Sequence, residues 1–453
     1  MESTKTRDVT DFFNNEYLEY AKYVVTSRAI PNCIDGFKPT HRKIIYVANK
    51  IWKTGKEKPM KLFQLAGRVA AESYYHHGDS GLSGAMVGMA QRFKNSLPLL
   101  SGIGQFGSLR SPEAGAPRYI SAKLHENFRL IYQDFELLKP RYEEGNEIEP
   151  EYFLPIVPTV ILNGSSGIAV GFATNILNRN PLDVVNACIN VLSNKKIKTL
   201  KPWLSEFSGE WKRDLTNPNT WKIKGLHKVN NTTTVTVSEI PPNFTYDKYE
   251  KHLNNLIEKK IIKSYEDNSS EKVEYILKFN RATLKDLIIK DKLEKTLKLI
   301  SQETENLTTI DENGELKIFS RVEDIVEHFV SVRLEFYKKR KAYIISKLER
   351  ELLVISNKAR FIKEIIEERL KVNNVPKKAI EGYLQKGKFN KVDGSFNYLL
   401  NMPIHSLTKE RFKDLMNQEL GKKAELVKLK KANHTEMYIS DLNELKKALK
   451  DKQ

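Results

Sequence analysis

The sequence has few cysteines and no apolar run that could cross a membrane. Cys33 and Cys188 are the only two cysteines in 453 residues, too few for a disulfide framework or a cysteine-rich metal site. The longest apolar stretch, YFLPIVPTVILNG (152–164), contains two prolines and is shorter than the roughly 18 residues that a spanning helix needs. The N-terminus, MESTKTRDVTDFFNNEY, has no apolar signal-peptide core. These absences predict a soluble, cytosolic protein in a reducing compartment.

Two motifs of phosphate and metal chemistry are also missing. The sequence contains no G-x-x-x-x-G-K-[ST] loop of the kind that cradles ATP phosphates, and no D-x-D pair. The acidic residues Glu147, Glu149 and Glu151 lie between prolines. We expect them to form a solvated turn, so the sequence predicts no metal site of its own.

Acidic residues are too few to balance the basic ones, and the net charge is +18. Residues 21–130 hold 17 Lys and Arg against 6 Asp and Glu, whereas residues 131–151 hold 2 against 7. A concentrated basic block indicates a polyanionic partner, most simply nucleic acid. A lysine-rich solubilising surface is the alternative that charge alone leaves open.

The stretch GIGQFGSLRSPEAGAPRYI (102–120) contains G-x-G-x-x-G, a pattern of dinucleotide-binding turns. Such a turn follows a strand and opens a helix. Here SLRSPE has turn chemistry, and no alternating strand–helix unit surrounds it. We therefore disfavour a nucleotide-binding oxidoreductase. Saturable NAD binding at Gly102–Gly107 would favour that interpretation again.

The same stretch ends on Arg118 and Tyr119. A tyrosine can act as a nucleophile, but its ordinary pKa of about 10 requires a neighbouring cation or base. Arg118 can supply that cation and can hold a phosphate. With 19 tyrosines in the chain, the pair alone does not identify a site.

Periodicity predicts a mixed α/β (α+β) fold. Residues 9–30 have helical spacing, and two short helices, KLFQLAGRVAAESY and SGLSGAMVGMAQRF, flank the HHGD turn like a helix-turn-helix. We expect strand, turn and strand over 152–175, with NGSSG as the turn, and alternating strands and helices over 200–320.

The C-terminal third has the spacing of a coiled-coil seam. Its apolar residues recur every three or four positions, at Ile345, Leu348, Leu352, Ile355, Ala359, Ile362, Ile366 and Leu370. Pro376 is expected to end this helix. A small domain and a returning helix from about 408 then predict an antiparallel arm with a globular tip.

The order of several motifs resembles the breakage-reunion subunit of type IIA DNA topoisomerases. In size and layout the chain is most similar to the medium subunit of the phage-type enzymes. PRYI and YHHGD lean toward the eukaryotic and viral branch, and NGSSGIAVGFATNI leans toward the bacterial one. The matching stretches are SRAIPNCIDGFKPTHRKIIY, QLAGRVAAESYYHHGD, GQFGS…APRYI, LPIVPTVILNGSSGIAVGFATNI and LERELLVISNKARFIKEII.

The resemblance implies three domains. These are a winged-helix DNA-gate domain with the catalytic tyrosine over 1–150, a tower-like α+β domain over 151–320, and a coiled-coil arm over 321–453. The arm would carry a small globular dimerisation tip at about 375–405. A homodimer is implied, because two strands have to be cut.

The resemblance also implies roles for particular residues. Tyr119 would attack a DNA phosphodiester to form a 5′-phosphotyrosyl bond, and Arg118 would stabilise the charged transition state. Ile168 would wedge between base pairs and bend the DNA. The remaining residues would grip DNA, with His41 nearest the scissile phosphate: Arg28, Lys38, His41, Arg42 and His77. Read singly, each has an ordinary structural explanation, and only their joint order favours the functional one.

The family's cleavage chemistry uses divalent metal held by an acidic site, and its strand passage uses ATP. Since this sequence shows neither motif, Mg²⁺ and ATP are expected on a partner ATPase/toprim subunit, in a heterotetramer or larger assembly. The resemblance implies relaxation and decatenation in the cytoplasm, or in the host bacterial cytoplasm if the protein is viral. A non-catalytic DNA-binding or chromosome-organising protein with the same fold is the alternative.

The sequence departs from the bacterial pattern at several positions. Tyr75 replaces the first histidine of the family's His-Pro-His turn, and Gly88 stands where bacterial members carry arginine. Bacterial quinolone sites use a serine and an acid four residues on, which here are Ser80 and Gly84. We therefore expect weak quinolone sensitivity, which bacterial-like potency in a cleavage assay would contradict.

Overall fold

A computed structural model gives the structure of residues 8–270 and 272–451. Their contacts divide the chain into two units, one reaching Arg333 and resuming at Asp441, and the other comprising Leu334–Ser440. The first unit mixes helices and strands and the second is mainly helical, so the fold is mixed α/β. Within these ranges, no helix is long and apolar enough to span a bilayer. The division at residues 150 and 320 stays a prediction.

The first helical segment runs from Val9 to Ala29, as its spacing predicts, and alternates between α- and π-helical turns. Its aromatic side chains, including Phe12, Phe13 and Tyr20, are exposed, whereas Val24 and Val25 are buried. The segment consists of α1 (Val9–Phe12), a π-helix (Phe13–Tyr17), α2 (Leu18–Val24) and a second π-helix (Val25–Ala29).

Three helices and a small antiparallel sheet follow. Pro39 occupies the first turn of its helix, where a missing N–H costs nothing. The sheet has the order β1-β3-β2, so residues 104–120 form a loop between two neighbouring antiparallel strands. The elements are α3 (Pro39–Ile51), β1 (Met60–Lys61), α4 (Leu62–Glu72), α5 (Asp79–Ala90), β2 (Leu100–Ile103) and β3 (Ser121–Leu124). The two predicted helices around the HHGD turn are confirmed as α4 and α5.

Short elements connect this region to the rest of the first unit. Strand β4 pairs with β7, and β5 pairs with β6. The short elements of this part of the chain are α6 (Glu126–Ile131), β4 (Tyr132–Gln133), a 3-10 helix (Phe135–Leu137), β5 (Arg141–Glu143), β6 (Asn146–Ile148), β7 (Leu154–Pro155), α7 (Thr159–Leu162), β8 (Ser165–Ile168), β9 (Ala173–Ile176) and α8 (Pro181–Leu192).

The turn predicted at NGSSG (163–167) is wrong. Residues 159–162 form helix α7, and Ser165 already pairs with Ile176 at the start of a hairpin. Ile168 pairs with Ala173, so the turn lies at 169–172, where Gly171 has φ +74°. The register of the two strands, and not the glycine-rich sequence, decides where this chain reverses.

Two larger sheets with their helices, and a two-stranded sheet of β17 and β18, fill residues 210–318. One sheet has the order β10-β11-β16 and the other β12-β13-β15-β14. The second sheet and its helices share a core that includes Val235, Tyr249 and Leu277. The elements are β10 (Glu210–Arg213), β11 (Thr220–Lys224), β12 (Leu226–Asn231), β13 (Thr234–Glu239), α9 (Tyr246–Glu258), β14 (Ile262–Asp267), β15 (Tyr275–Phe279), α10 (Arg281–Ile289), α11 (Leu293–Thr296), β16 (Ile300–Thr304), β17 (Thr308–Ile310) and β18 (Leu316–Ile318). The predicted α+β composition of this segment is confirmed.

Long helices dominate the C-terminal part of the chain. Within Leu334–Ser440, Lys341 donates to the carbonyl of Ala432 over 2.7 Å, and Ala359 and Ile362 pack with Leu415. Early residues of one helix thus meet late residues of the other, so the pair is antiparallel. The elements are α12 (Val322–Ile366), α13 (Lys377–Lys386), α14 (Asn397–Leu400), a 3-10 helix (Ile404–Ser406), α15 (Lys409–Lys431) and α16 (His434–Lys450).

Helix α12 ends at Ile366, ten residues before Pro376, where the sequence predicts its end. The amide of Glu368 bonds the carbonyl of Ile365, and that of Arg369 bonds Glu364, which is a Schellman cap. Glu368 takes the left-handed position with φ +57°. Because glycine usually fills this position, no residue type marks the cap in advance. Leu370 therefore lies beyond the helix, in the core of the small tip.

Candidate nucleic-acid interface and tyrosine loop

Tyr119 lies at the end of the 104–120 loop with its side chain toward solvent. The residue is 69% exposed, and the guanidinium carbon of Arg118 lies 4.8 Å from the centre of its ring. The backbone around it is held: the amide of Tyr119 bonds Ala116, and Nζ of Lys61 donates to the carbonyl of Tyr119 over 2.8 Å. The loop therefore presents a phenol and a cation together from an anchored backbone.

The glycines of the G-x-G-x-x-G pattern shape this loop. Gly104 and Gly107 have φ values of +106° and +79°, which side-chain-bearing residues rarely adopt. A Cβ on Gly107 would lie 2.7 Å from the carbonyl carbon of Pro112. No helix follows the glycines, since the loop joins β2 to β3. The disfavoured nucleotide-binding turn is therefore absent from this stretch.

Lys38 joins the segment before α3 to the hairpin that carries Ile168. Its Nζ donates to the backbone carbonyl of Ser166 over 2.7 Å. Ile168 ends strand β8 beside the hairpin turn and is 88% exposed. Burial lowers the pKa of Lys38. A cation and an unsupported apolar side chain thus occur on adjoining segments, an arrangement suited to a phosphate and to a base step.

His41 lies one turn further along, in α3. Burial, with the positive charges of Lys38 and Arg42, lowers the pKa of His41 to about 4. The imidazole is therefore neutral at pH 7. It can donate one hydrogen bond to an anion without adding a charge of its own.

Arg42 is buried and makes two bonds to Asp35. Its Nε lies 2.7 Å from Oδ2 and a terminal nitrogen lies 3.0 Å from Oδ1 of that carboxylate. Burial opposes the charge, but Asp35 raises the pKa of Arg42 overall. The guanidinium thus bonds Asp35 and the carbonyl of Phe37, and these bonds hold the segment that carries Lys38 and His41. Arg42 is 5% exposed, so little of its side chain can reach a ligand at the surface.

Arg28 and His77 line one cavity of about 460 Å³, together with Lys43 and Tyr75. Both residues are exposed, and Nε2 of His77 lies 3.2 Å from the hydroxyl of Tyr23. Lys38 and His41 line a second cavity of about 310 Å³. The structure thus places Arg28 and His77 at one cavity and Lys38 and His41 at another, while Arg42, Ile168 and Tyr119 line neither of the two.

Glu147 is exposed in β6, but Glu149 and Glu151 do not belong to the solvated turn that the sequence predicts. Glu149 is buried, 3.1 Å from Nζ of Lys43 and 3.3 Å from a guanidinium nitrogen of Arg141. Glu151 pairs with Lys139 over 2.6 Å. Lys43, which is 106 residues from Glu149, and the nearer Arg141 and Lys139 neutralise these two carboxylates, which the local proline and glutamate pattern did not reveal. Since they are already paired with cations, they fit a metal ion poorly.

One further group of potential metal ligands lies in the described part of the chain. Ligand atoms of Cys33, Glu312 and His328 are within 4.8 Å of one another. Nε2 of His328 is 2.8 Å from Glu312, and its Nδ1 is 3.1 Å from Nζ of Lys317. Burial and nearby carboxylates, Glu312 foremost, raise the pKa of Cys33 to about 12. The lysine beside the imidazole already balances the carboxylate, so we interpret this group as a hydrogen-bond network.

Sequence reasoning missed the residues that hold the tyrosine loop. Lys61 carries no motif and is recognised only because β1 pairs with β3 beside Tyr119. Gln91 is buried and donates to the carbonyls of Phe106 and Pro112 over 2.8 and 3.0 Å. Each contact forms only because the folded backbone brings distant residues together, and no sequence motif around Lys61 or Gln91 indicates it.

Comparison with known proteins gives a consistent result. The family model for the A-type subunit of DNA gyrase and topoisomerase IV matches residues 28–445. The chain is 34% identical to the DNA topoisomerase medium subunit of Enterobacteria phage T4, over 97% of this chain and 99% of that protein. It is 33% identical to DNA topoisomerase 2 of Plasmodium falciparum, over 98% of this chain and 35% of that protein. The chain thus spans about a third of this eukaryotic relative.

A solved structure is similar as well. The DNA-binding, cleavage and re-ligation domain of Plasmodium falciparum topoisomerase II matches with a TM-score of 0.86 and 34% identity. The match covers 97% of this chain and 64% of that chain.

Proposed function

The chain belongs to the family of A-type subunits of DNA gyrase and topoisomerase IV, and from this premise we propose that it is the DNA breakage-reunion subunit of an ATP-dependent type IIA topoisomerase. Such a subunit cuts both strands of one duplex, lets a second duplex pass and reseals the cut. The observation that carries the proposal is Tyr119, exposed on an anchored loop with the guanidinium of Arg118 beside its ring.

The proposed reaction is a transesterification, in which the DNA phosphate passes from a 3′-oxygen to the phenolic oxygen of Tyr119. The phenolic oxygen of Tyr119 attacks the phosphorus, the bond from phosphorus to the 3′-oxygen breaks, and the phenolic proton leaves while the 3′-oxygen gains one. The products are a 5′-phosphotyrosyl bond and a 3′-hydroxyl, and religation is the reverse reaction. Arg118 stabilises negative charge on the phosphate oxygens.

The other predicted site residues act on DNA and not on the broken bond. Arg28 and His77 face one cavity and Lys38 and His41 another, and these residues would bind phosphates on either side of the cut. Ile168 would insert at a base step and bend the duplex. Arg42 would act through Asp35 by holding the segment that carries Lys38 and His41.

We assign the larger architecture by the same proposal. The three helices and the small sheet of residues 39–124 act as a winged-helix DNA-binding domain, and the sheets of residues 210–310 act as the tower. The antiparallel helices α12 and α15 form a coiled-coil arm, and the tip at about 375–405 joins two copies in a homodimer.

Mg²⁺ and ATP are proposed to bind a partner subunit. Glu149 and Glu151 are paired with cations, and Lys317 lies against the imidazole of His328, so neither group fits a divalent ion. When bound, a divalent ion would stabilise charge on the attacking and leaving oxygens. The name of the T4 relative, a medium subunit, supports a division of the enzyme between polypeptides.

The test is covalent trapping of DNA. The chain is mixed with candidate ATPase/toprim subunits, Mg²⁺ and labelled plasmid, and detergent then traps any protein–DNA adduct. We expect adducts with a free 3′-hydroxyl, and ATP-dependent relaxation in the same mixture. Y119F should abolish both, whereas the matched control Y142F, whose tyrosine is 65% exposed, should retain them.

Two results would contradict the proposal. Adducts that persist in Y119F would show that Tyr119 is not the nucleophile. DNA binding without adducts in every mixture would favour the non-catalytic DNA-binding alternative.

A further inference from the structure

The loop that carries Tyr119 is anchored at both ends, yet its middle reaches a different part of the first unit. Near Tyr119 the amide of Phe63 bonds the carbonyl of Pro117, and that of Leu62 bonds Ile120. Gln91 holds the other side through two carbonyls. Between these anchors, Leu109 and Arg110 extend to the segments around β13 and α9.

Arg110 is the centre of this distant attachment. Its guanidinium lies 2.5 Å from Oε1 of Glu239, and it donates to the carbonyls of Ile240, Pro241 and Phe244 over 2.5 to 2.9 Å. The amide of Tyr246 in turn bonds the carbonyl of Arg110 over 3.0 Å. One residue of the loop therefore makes five hydrogen bonds to residues 239–246.

Glu239 is itself fixed by other contacts. Its Oε2 accepts bonds from the amide and the hydroxyl of Ser208, at 2.9 and 2.8 Å. The neighbouring Leu109 donates its amide to Glu206 over 3.0 Å. Two carboxylates thus bind the loop. Glu239 accepts a hydrogen bond from the side chain of Arg110, and Glu206 accepts one from the backbone amide of Leu109.

The Arg110–Glu239 ion pair is buried. Both side chains of the Arg110–Glu239 pair are 7% exposed, and burial lowers the pKa of Arg110 despite the carboxylate. A cavity of about 570 Å³ opens beside the pair, and serines supply much of its lining. Buried ion pairs add little net stability but can specify one geometry.

We propose that Arg110 is a positioning residue for the tyrosine loop, tying its middle to Glu239 and to the carbonyls of residues 240–244 so that Tyr119 is held where it can reach the scissile phosphorus. This inference rests on the proposed function for its catalytic consequence. The proposed contact connects the loop of Tyr119 to the four-stranded sheet, because Glu239 is the last residue of strand β13. Arg110 itself touches no reacting atom.

Hydrogen exchange of the chain alone tests the physical half of the inference. In R110A and R110K, the amides of residues 105–119 should exchange faster than in the unmodified chain, and R110A should show the larger change. The matched control is R179K, because Arg179 forms another buried pair, 2.7 Å from Glu305 and remote in sequence from this loop. R179K should leave exchange in residues 105–119 unchanged.

Adduct formation tests the catalytic half. At equal folded fraction, R110A should form adducts about 10–100-fold more slowly, because a displacement of about 1 Å costs that much in an oriented reaction. The dissociation constant for DNA should not change, and R110K should recover part of the rate. E239Q removes the charge and turns one acceptor oxygen into an NH2 group, so it loses the hydrogen bonds at either Arg110 or Ser208. Its rate should fall between those of R110A and the unmodified chain.

The outcomes separate the two proposals. Equal loop exchange in R110A and R179K would overturn the positioning role, and so would equal adduct rates at matched folded fraction. Absence of Tyr119-dependent adducts from the unmodified chain would overturn the proposed function alone, since the exchange measurement still decides whether Arg110 holds the loop.

Discussion

Lys38 donates a hydrogen bond from Nζ to the carbonyl of Ser166, 2.7 Å away and 128 residues distant in sequence. The bond ties the basic segment before α3 to the strand that ends at Ile168. A lysine has three N–H donors, so two stay available for a phosphate. The bond thus connects the segment of a cation, Lys38, to the strand that carries the exposed side chain of Ile168.

Replacing Lys38 should weaken DNA binding by an electrostatic amount. K38M removes one phosphate contact, so the slope of log affinity against log salt should fall by about 1. Equilibrium titrations of a fluorescent duplex at several salt concentrations measure this slope. K378M, which removes the charge of an exposed lysine in α13, is the control, and an equal loss in both variants would show a general charge effect.

Folding stability should depend on pH through His41. Its pKa is about 4 in the folded chain and about 6.5 when unfolded, so the unfolded state binds the extra proton between these values. Stability should therefore be complete above pH 6.5 and fall as the pH drops toward 4, by about 2–3 kcal/mol from this residue. The difference between the unmodified chain and H41N, measured by urea unfolding, isolates the effect. An imidazole titration midpoint near 6.5 by NMR would contradict the prediction.

Truncating Ile168 should alter DNA shape without affecting the fold. The residue is 88% exposed, so I168A removes almost no packing and the melting temperature should stay the same. Fluorescence energy transfer between the ends of a labelled duplex should report less bending. I404A, at an isoleucine that is 83% exposed, should leave both quantities unchanged. Full bending by I168A would remove the wedge role.

Breaking the Asp35–Arg42 pair should cost much more than breaking an exposed pair. Asp35 is fully buried, and it also accepts bonds from the amides of Phe37 and Phe153. D35N leaves a buried guanidinium without its charge partner, so the free energy of unfolding should fall by about 3–5 kcal/mol. E72Q, which breaks the exposed Arg68–Glu72 pair, should cost less than about 0.5 kcal/mol. Similar losses in chemical denaturation would show that burial does not govern the Asp35 pair.

Two glycine substitutions should change stability in opposite directions. In G107A the alanine must adopt φ +79° and approach Pro112, which should cost at least about 1–2 kcal/mol. In G84A the new methyl group in helix α5 meets no atom within 4 Å, and the variant should gain about 0.5–1 kcal/mol. Thermal unfolding of both variants measures the two changes. A neutral G107A would mean that the loop does not need the left-handed conformation.

Local patterns predicted the elements that depend on neighbouring residues. The helical spacing before Ala29, the two helices around the HHGD turn and the part of α12 from Ile345 to Ile366 follow from periods that a helix imposes. The hairpin turn and the end of α12 were misplaced. A strand register and a Schellman cap with glutamate at the glycine position decided them, and neither follows from composition.

The sequence by itself determined that a basic block contains an arginine–tyrosine pair on a glycine-shaped loop, because charge, φ preference and residue chemistry are properties of the residues themselves. Only the tertiary structure decided which charged side chains are exposed and which are buried in ion pairs. It buried Arg42 against Asp35, neutralised Glu149 with Lys43 and tied Arg110 to Glu239, 129 residues away. Such pairs form where the folded chain path brings charges together out of water, and nothing local to either residue records that path.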